Sequence, residues 1–252
     1  MNIRVLGASG GIGDGRQTTS FLVDDDVLVD CGTGVTTLSH AELRRIDHVF
    51  LTHSHLDHIA SLPLMLDSVG AERDRPLILH GLPEALQILR DHLFNWHLWP
   101  DFSRIPSEQA PYLRYEPLCA GEAVRLGERL VAAIPANHVV PAVGYLLRGL
   151  RGSLLFSGDT ASHEGLWQEA NATRDLKHLI VECSFQDALV EIAKASKHYC
   201  PMTLAPDLRK LKGGVEVWIT HLKPGGEAGI MAELARHGVT ARALSKGQVF
   251  EL

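Results

Sequence analysis

The stretch Thr52-His53-Ser54-His55-Leu56-Asp57-His58 follows a buried-looking run, Asp47-His48-Val49-Phe50-Leu51. It leads straight into a helical pattern over 57–68, in which Ile59, Leu62, Met65 and Leu66 share a face. His53, His55, Asp57 and His58 thus stand together at a strand end, where open α/β architectures place their sites and where several ligands can converge on one point. Taken alone the stretch could be a solvated polar turn. The acids and histidines at other strand ends weigh against that.

Three such residues lie downstream: His138 in Ala136-Asn137-His138, Asp159 in Phe156-Ser157-Gly158-Asp159-Thr160, and His221 in Trp218-Ile219-Thr220-His221. Each ends an apolar run, so its side chain would leave the same sheet edge. Singly, each has a structural reading; Asp159-Thr160 before a helix could be only an N-cap. Jointly with the first stretch they supply five histidines and two aspartates, enough for two metal ions.

In chain order, Asp30, His53-x-His55-x-Asp57-His58, His138, Asp159 and His221 resemble the five motifs of the metallo-β-lactamase superfamily. The resemblance implies an α/β fold, the αββα sandwich of two mixed sheets packed face to face with outer helices, and a dinuclear centre at one sheet edge. It would place His53, His55 and His138 on the first metal and Asp57, His58 and His221 on the second, with Asp159 bridging both. Asp30, in Val29-Asp30-Cys31-Gly32-Thr33-Gly34, matches an aspartate that supports the ligand loop without binding metal. Such support makes physical sense, because a ligating imidazole usually donates its other N–H to a carboxylate or carbonyl. Two divalent ions are expected, zinc first, with manganese or iron equally suited to His and Asp donors. Ions about 3.5–4 Å apart can share a hydroxide, bring its pKa towards neutrality and stabilise attacking and leaving oxygens. That chemistry suits phosphodiesters, and a bridging Asp with no Cys among the ligands argues against a drug-resistance β-lactamase.

Other segments narrow the substrate. His53 to Leu62 is similar to the signature of class II cyclic-nucleotide phosphodiesterases, with Leu56 where the related ribonuclease Z usually has Gly. Asn95-Trp96-His97-Leu98-Trp99-Pro100-Asp101-Phe102 also resembles a segment of those phosphodiesterases. It lies in the irregular stretch 95–118, whose length suggests a lid-like excursion over a cleft. There Trp96, Trp99 or Phe102 could stack on a purine, or could equally pin the loop to the core. The segments Val181-Glu182-Cys183-Ser184-Phe185, Lys197-His198-Tyr199-Cys200-Pro201 and Ile219 to Pro224 resemble a block shared by both groups. In ribonuclease Z the residues at Glu182 and His198 form a proton-donating pair, so the catalytic set implied is Asp57, Glu182 and His198. The implied activity is hydrolysis of 3′,5′-cyclic AMP or GMP to the 5′-monophosphate by a metal-bridging hydroxide. The alternatives are a ribonuclease Z-like tRNA 3′-end endonuclease, an ester or thioester hydrolase of the same fold, and a non-hydrolytic di-iron redox or sensor protein.

Composition limits these options. The 252 residues read as one domain, and a net charge of −6 disfavours a broad nucleic-acid footprint, so a small nucleotide is the expected partner. The four cysteines form no CxxC pair, which fits a reducing compartment, and no apolar run approaches a membrane span or a leader. A cytoplasmic location is expected, and a homodimer follows from the resemblance.

The glycine-rich Gly7-Ala8-Ser9-Gly10-Gly11-Ile12-Gly13-Asp14-Gly15 has the look of a dinucleotide loop. A pyrophosphate needs a helix N-terminus after that loop. Here the chain continues as a hairpin around Asp24-Asp25-Asp26, so the loop is expected at the rim of the metal cleft, with Ser9, Gly10 and Gly11 offering backbone N–H groups to a substrate phosphate. Strands are expected at 2–6, 19–23, 27–30, 47–52, 77–80, 130–135, 142–148, 153–157, 178–182, 215–220 and 238–243, and further helices at 83–93, 162–170, 185–195, 201–212 and 226–236.

Overall fold

Alternation along β1 (Asn2–Gly7) sets the layering: Ile3 and Val5 enter one core and Leu6 another. The computed structural model describes residues 1–252. β2 (Ser20–Val23) and β3 (Val27–Val29) form the expected hairpin, turned by Asp24 at φ 51°. After α1 (His40–Arg45) and β4 (His48–Phe50) come α2 (Leu56–Ile59), α3 (Leu62–Val69), β5 (Leu77–Gly81), α4 (Pro83–His92) and β6 (Leu113–Pro117). The second half begins with β7 (Ala123–Leu126), β8 (Arg129–Pro135), β9 (Val143–Arg148) and β10 (Ser153–Phe156). It continues through α5 (Glu164–Ala172), β11 (Leu176–Glu182), α6 (Val190–Ser196), α7 (Pro201–Leu208), β12 (Glu216–Thr220), α8 (Glu227–Arg236), β13 (Arg242–Ala243) and β14 (Val249–Glu251).

The strands form two seven-stranded mixed sheets, β14-β1-β2-β3-β4-β5-β6 and β13-β12-β11-β10-β9-β8-β7. In the first, pairing is antiparallel from β14 to β3 and parallel from β3 to β6. The second is parallel from β13 to β10 and antiparallel from β10 to β7. Because side chains alternate, each sheet feeds two cores. Phe21, Val29 and Phe50 of one sheet meet Val143, Tyr145 and Phe156 of the other in the middle layer, where Phe21 and Phe156 pack edge to face at 4.8 Å. Leu28, Val49 and Leu79 face Ile59, Leu62, Leu66 and Leu86 on one outside; Leu155, Leu179 and Ile219 face Trp167, Leu204 and Ile230 on the other. This is the expected αββα sandwich.

The expected helix over 57–68 is two helices. Pro63 lacks an amide hydrogen and its ring would clash with the carbonyl of Ile59 in a continuous helix, and the Ser61 amide instead donates to Cys31 O at 2.9 Å. The strand expected at 238–243 shortens to β13. No helix follows the glycine loop, which runs through isolated bridges to β2, and the dinucleotide fingerprint is thereby absent. No helix is long and apolar enough to cross a membrane.

Candidate metal centre

Five connections bring the polar residues to one edge of the sandwich. The loop after β4 carries His53, His55, Asp57 and His58; His138 lies between β8 and β9; Asp159 follows β10 and His221 follows β12. The remaining connection carries Asp30, which follows β3 and is fully buried in a left-handed backbone (φ 57°). Its carboxylate accepts from the Thr52 amide at 2.8 Å and from Thr52 Oγ1 at 2.8 and 3.0 Å. It also accepts from His58 Nδ1 at 2.7 Å. Asp30 therefore holds the histidine loop on the sheet. Gly158 lets the chain pass close to β9, since a Cβ there would lie 2.6 Å from Val143 O, and φ is +60°.

The histidines share one arrangement. His53 Nδ1 lies 3.0 Å from Thr52 Oγ1, His138 Nδ1 donates to Lys197 O at 3.1 Å, and His221 Nδ1 lies 2.9 Å from Ser184 Oγ. With Nδ1 occupied, the Nε2 atoms of His53, His58, His138 and His221 face inward. Those of His53 and His58 are buried without any hydrogen-bond partner, the condition a metal ion would satisfy. His55 presents Nδ1, 3.2 Å from His138 Nε2.

Two groups of donor atoms result: His53, His55 and His138 in one, and Asp57, His58, Asp159 and His221 in the other, each with its atoms within 4.8 Å of one another. Asp159 Oδ2 is 3.2 Å from His221 Nε2, 3.4 Å from His58 Nε2 and 3.7 Å from His53 Nε2, so it stands between the groups. Asp57 Oδ2 lies 3.1 Å from His221 Nε2. This donor set fits two divalent ions with N/O preference.

The electrostatics point the same way. Burial, reinforced by neighbouring histidines, pushes the pKa of His53 well below the ordinary value, and burial also lowers His55 and His138, so these rings are neutral and able to ligate. Burial opposes charge on Asp159 and Asp57 as well, yet the surrounding histidines hold both carboxyls below the usual range. His58 is the exception: burial would neutralise it, but Asp159 and Asp30 raise its pKa well above the ordinary value. A bound cation would take over from that proton, as metal binding releases protons from its ligands.

His198 lies beside this centre, its donor atom grouped within 4.8 Å of those of His138 and Asp159. Its ring stacks on His221 at 5.3 Å. Nδ1 is 2.6 Å from Glu182 Oε1, and Glu182, fully buried, also accepts from the Thr160 amide at 2.9 Å and from Ser184 Oγ at 3.0 Å. Burial works against charge on His198, but the Glu182 carboxylate outweighs it and raises the pKa. Cys200 is buried at the start of α7, where its sulfur caps the helix beside Thr203.

The expected substrate contacts need correction. Phe102 is 3% exposed and packs between Phe94 and Tyr112 in the outer core, so it has no face free for a base. Trp99 packs partly buried against the same core, and only Trp96, at 58% exposure, leaves its ring open. In the glycine loop, the Ser9 amide donates to Gln17 O at 3.0 Å and the Gly10 amide to Leu222 O at 3.1 Å, so neither is free for a phosphate. Gly10 instead presses on His221, and Gly11 lies against Pro224. Thr52, Ser184 and Lys197 were not singled out from sequence. All three stand inside motif segments, and Lys197 both accepts at its carbonyl from His138 Nδ1 and donates from Nζ to the His138 carbonyl at 3.0 Å.

A sandwich of this topology with two His/Asp donor groups at one edge defines a metallo-hydrolase of the β-lactamase superfamily. The chain belongs to that family, whose description, beta-lactamase superfamily domain, matches residues 25–236. It is 25% identical to a probable 3′,5′-cyclic-nucleotide phosphodiesterase of Yersinia pestis, over 89% of this chain and 78% of that protein. A ribonuclease Z of Bradyrhizobium sp. (strain ORS 278) is 34% identical over 44% of this chain and 36% of its own length. Among solved structures, unliganded yeast PDE1 superposes with a TM-score of 0.83 at 20% identity, covering 100% of this chain and 99% of that one.

Proposed function

We propose that the protein is a two-metal phosphodiesterase that opens 3′,5′-cyclic nucleotides to 5′-monophosphates. The observation that carries this reading is His198, backed by Glu182 and grouped with the ligand atoms of His138 and Asp159. His53, His55 and His138 would hold one ion, Asp57, His58 and His221 the other, and Asp159 both. Two divalent ions supply an activated water and stabilise charge on the phosphoryl oxygens. The chain supplies the rest. Asp30 and Thr52 fix the ligand loop, and His198 Nε2 donates a proton to the departing 3′ oxygen while Glu182 Oε1 keeps the Nδ1 proton in place. The Glu182 carboxylate raises the pKa of His198, which favours the protonated donor.

A small substrate is favoured over a polynucleotide by the net charge of −6. The second reading, a tRNA 3′-end endonuclease, draws on the ribonuclease Z relatives, one of which matches 44% of this chain and another 88%. Purified protein loaded with Zn, Mn or Fe and given cyclic AMP, cyclic GMP or a labelled tRNA precursor separates them. The expected result is cyclic-nucleotide turnover with the tRNA left intact; cleavage of the tRNA alone would assign the second reading. His198→Ala is expected to lower kcat on the cyclic nucleotide about 10²–10⁴-fold with metal content unchanged.

A further inference from the structure

Ser184 Oγ stands at the meeting point of three buried groups. It lies 2.9 Å from His221 Nδ1, 3.0 Å from Glu182 Oε2 and 3.2 Å from His198 Nδ1. Ser184 itself is fully buried, so water does not substitute for these contacts. A hydroxyl has one proton to give and two lone pairs to receive, and the neighbours settle how they are used. Glu182 Oε2 accepts, so the Ser184 proton points there. His221 turns Nε2 towards Asp57 Oδ2 and Asp159 Oδ2, at 3.1 and 3.2 Å. An ion held beside those carboxylates would take the Nε2 lone pair, which would leave the ring proton on Nδ1, to be donated to Ser184. The His198 Nδ1 proton goes to the nearer acceptor, Glu182 Oε1 at 2.6 Å. With an ion bound the order would run from His221 Nδ1–H to Ser184 and from Ser184 O–H to Glu182, with His198 Nδ1–H on the other oxygen of the same carboxylate.

We infer that Ser184 is a positioning residue that joins the second metal group to the proton donor, holding His221 in the tautomer that ligates through Nε2 while fixing the carboxylate that aims His198. The inference deepens the proposed function and rests on it. One hydroxyl serves both ends, so its loss should be felt at the metal and at the leaving group separately. The first group, His53, His55 and His138, makes no contact with Ser184 and relies on Thr52 and Lys197 instead.

The test compares wild type, Ser184→Ala and Ser184→Thr in two measurements. In chelator competition with zinc, Ser184→Ala should bind the first ion as wild type does and the second about 10–100-fold more weakly, the usual cost of losing a hydrogen-bond partner of a ligand. At saturating zinc, kcat for cyclic AMP should fall about tenfold or more, as loss of such a partner also costs in activity. Turnover of bis(para-nitrophenyl) phosphate, whose leaving group departs without a proton, should stay near wild type. Ser184→Thr keeps the hydroxyl and should restore both. Equal weakening of both ions, or equal losses on the two substrates, would reduce Ser184 to a packing residue and overturn the inference. Unchanged affinity for the second ion would overturn it as well. Should Ser184→Ala fail to fold, Ser184→Cys takes its place, with the same pattern expected from a weaker donor. A wild-type protein that binds two ions and hydrolyses only the nitrophenyl ester would end the cyclic-nucleotide reading, and the chelator measurement would still decide the role of Ser184.

Discussion

At His221 the backbone turns left-handed, with φ 58°, and the same conformation occurs at Asp30 and Lys197. Residues other than glycine pay for that conformation, and they persist in it where surrounding contacts over-determine them. His221 is held by its amide donating to Ala8 O at 2.9 Å, by Ser184 at its ring, and by Gly10 packed beneath it. A Cβ on Gly10 would lie 2.6 Å from His221 O and 2.9 Å from His221 Nδ1. Gly10→Val is therefore expected to displace this ring and release the second metal, with activity falling in step. Elemental analysis after gel filtration checks it, and full metal content in the variant would show that the loop yields without disturbing the ligand. The glycines that looked like a phosphate cradle thus seat the His221 ring, a role set by contact across 211 positions in sequence that no local pattern could display.

At the scale of elements, what could be read from sequence was whatever carried its own periodicity. The β2–β3 hairpin, the helices α4 and α8 and the strands feeding the middle layer all show apolar spacing that matches their buried faces. The missed elements lie at edges: β6 and β7 are short edge strands in which Leu113 alone is fully buried, and Pro117 is tolerated because β6 is an edge strand. Helix α1 was missed for a related reason, since it buries none of its residues. It rests on a capping box, with Ser39 Oγ accepting from the Glu42 amide at 3.3 Å and Glu42 accepting from the Ser39 amide at 2.8 Å. Ser39→Ala should cost about 1 kcal/mol of stability, measured by urea denaturation, with turnover unchanged. A loss of activity would mean that α1 reaches the site by a route its contacts do not reveal. The ligand loops were legible because their residue types are rare together at strand ends; the segment around Phe102 was not, because an aromatic ring reads alike on a lid and in a core.

For the whole molecule, the middle layer carries its own pH sensitivity. His80 is 3% exposed, stacks on Phe50 at 4.3 Å, and shares a 3.0 Å contact with His48 Nδ1. Burial, then the neighbouring His48, pushes its pKa down to about 4. The unfolded chain takes up a proton on this ring below pH of about 6.5, whereas the folded protein resists until about 4. Stability is therefore full above that window and declines as pH falls through it, by about 3 kcal/mol at most from this group. His80→Phe should flatten the stability profile between those limits in urea titrations, and a profile parallel to wild type would place the sensitivity elsewhere. The sandwich as a whole delivers five connections to one edge. The most direct test is incubation of the metal-loaded protein with cyclic AMP in oxygen-18 water, followed by mass analysis of the nucleotide. The expected product is a 5′-monophosphate with a single solvent-derived oxygen on phosphorus; no turnover with Zn, Mn or Fe, or release of the 3′-monophosphate, would contradict the proposed phosphodiesterase.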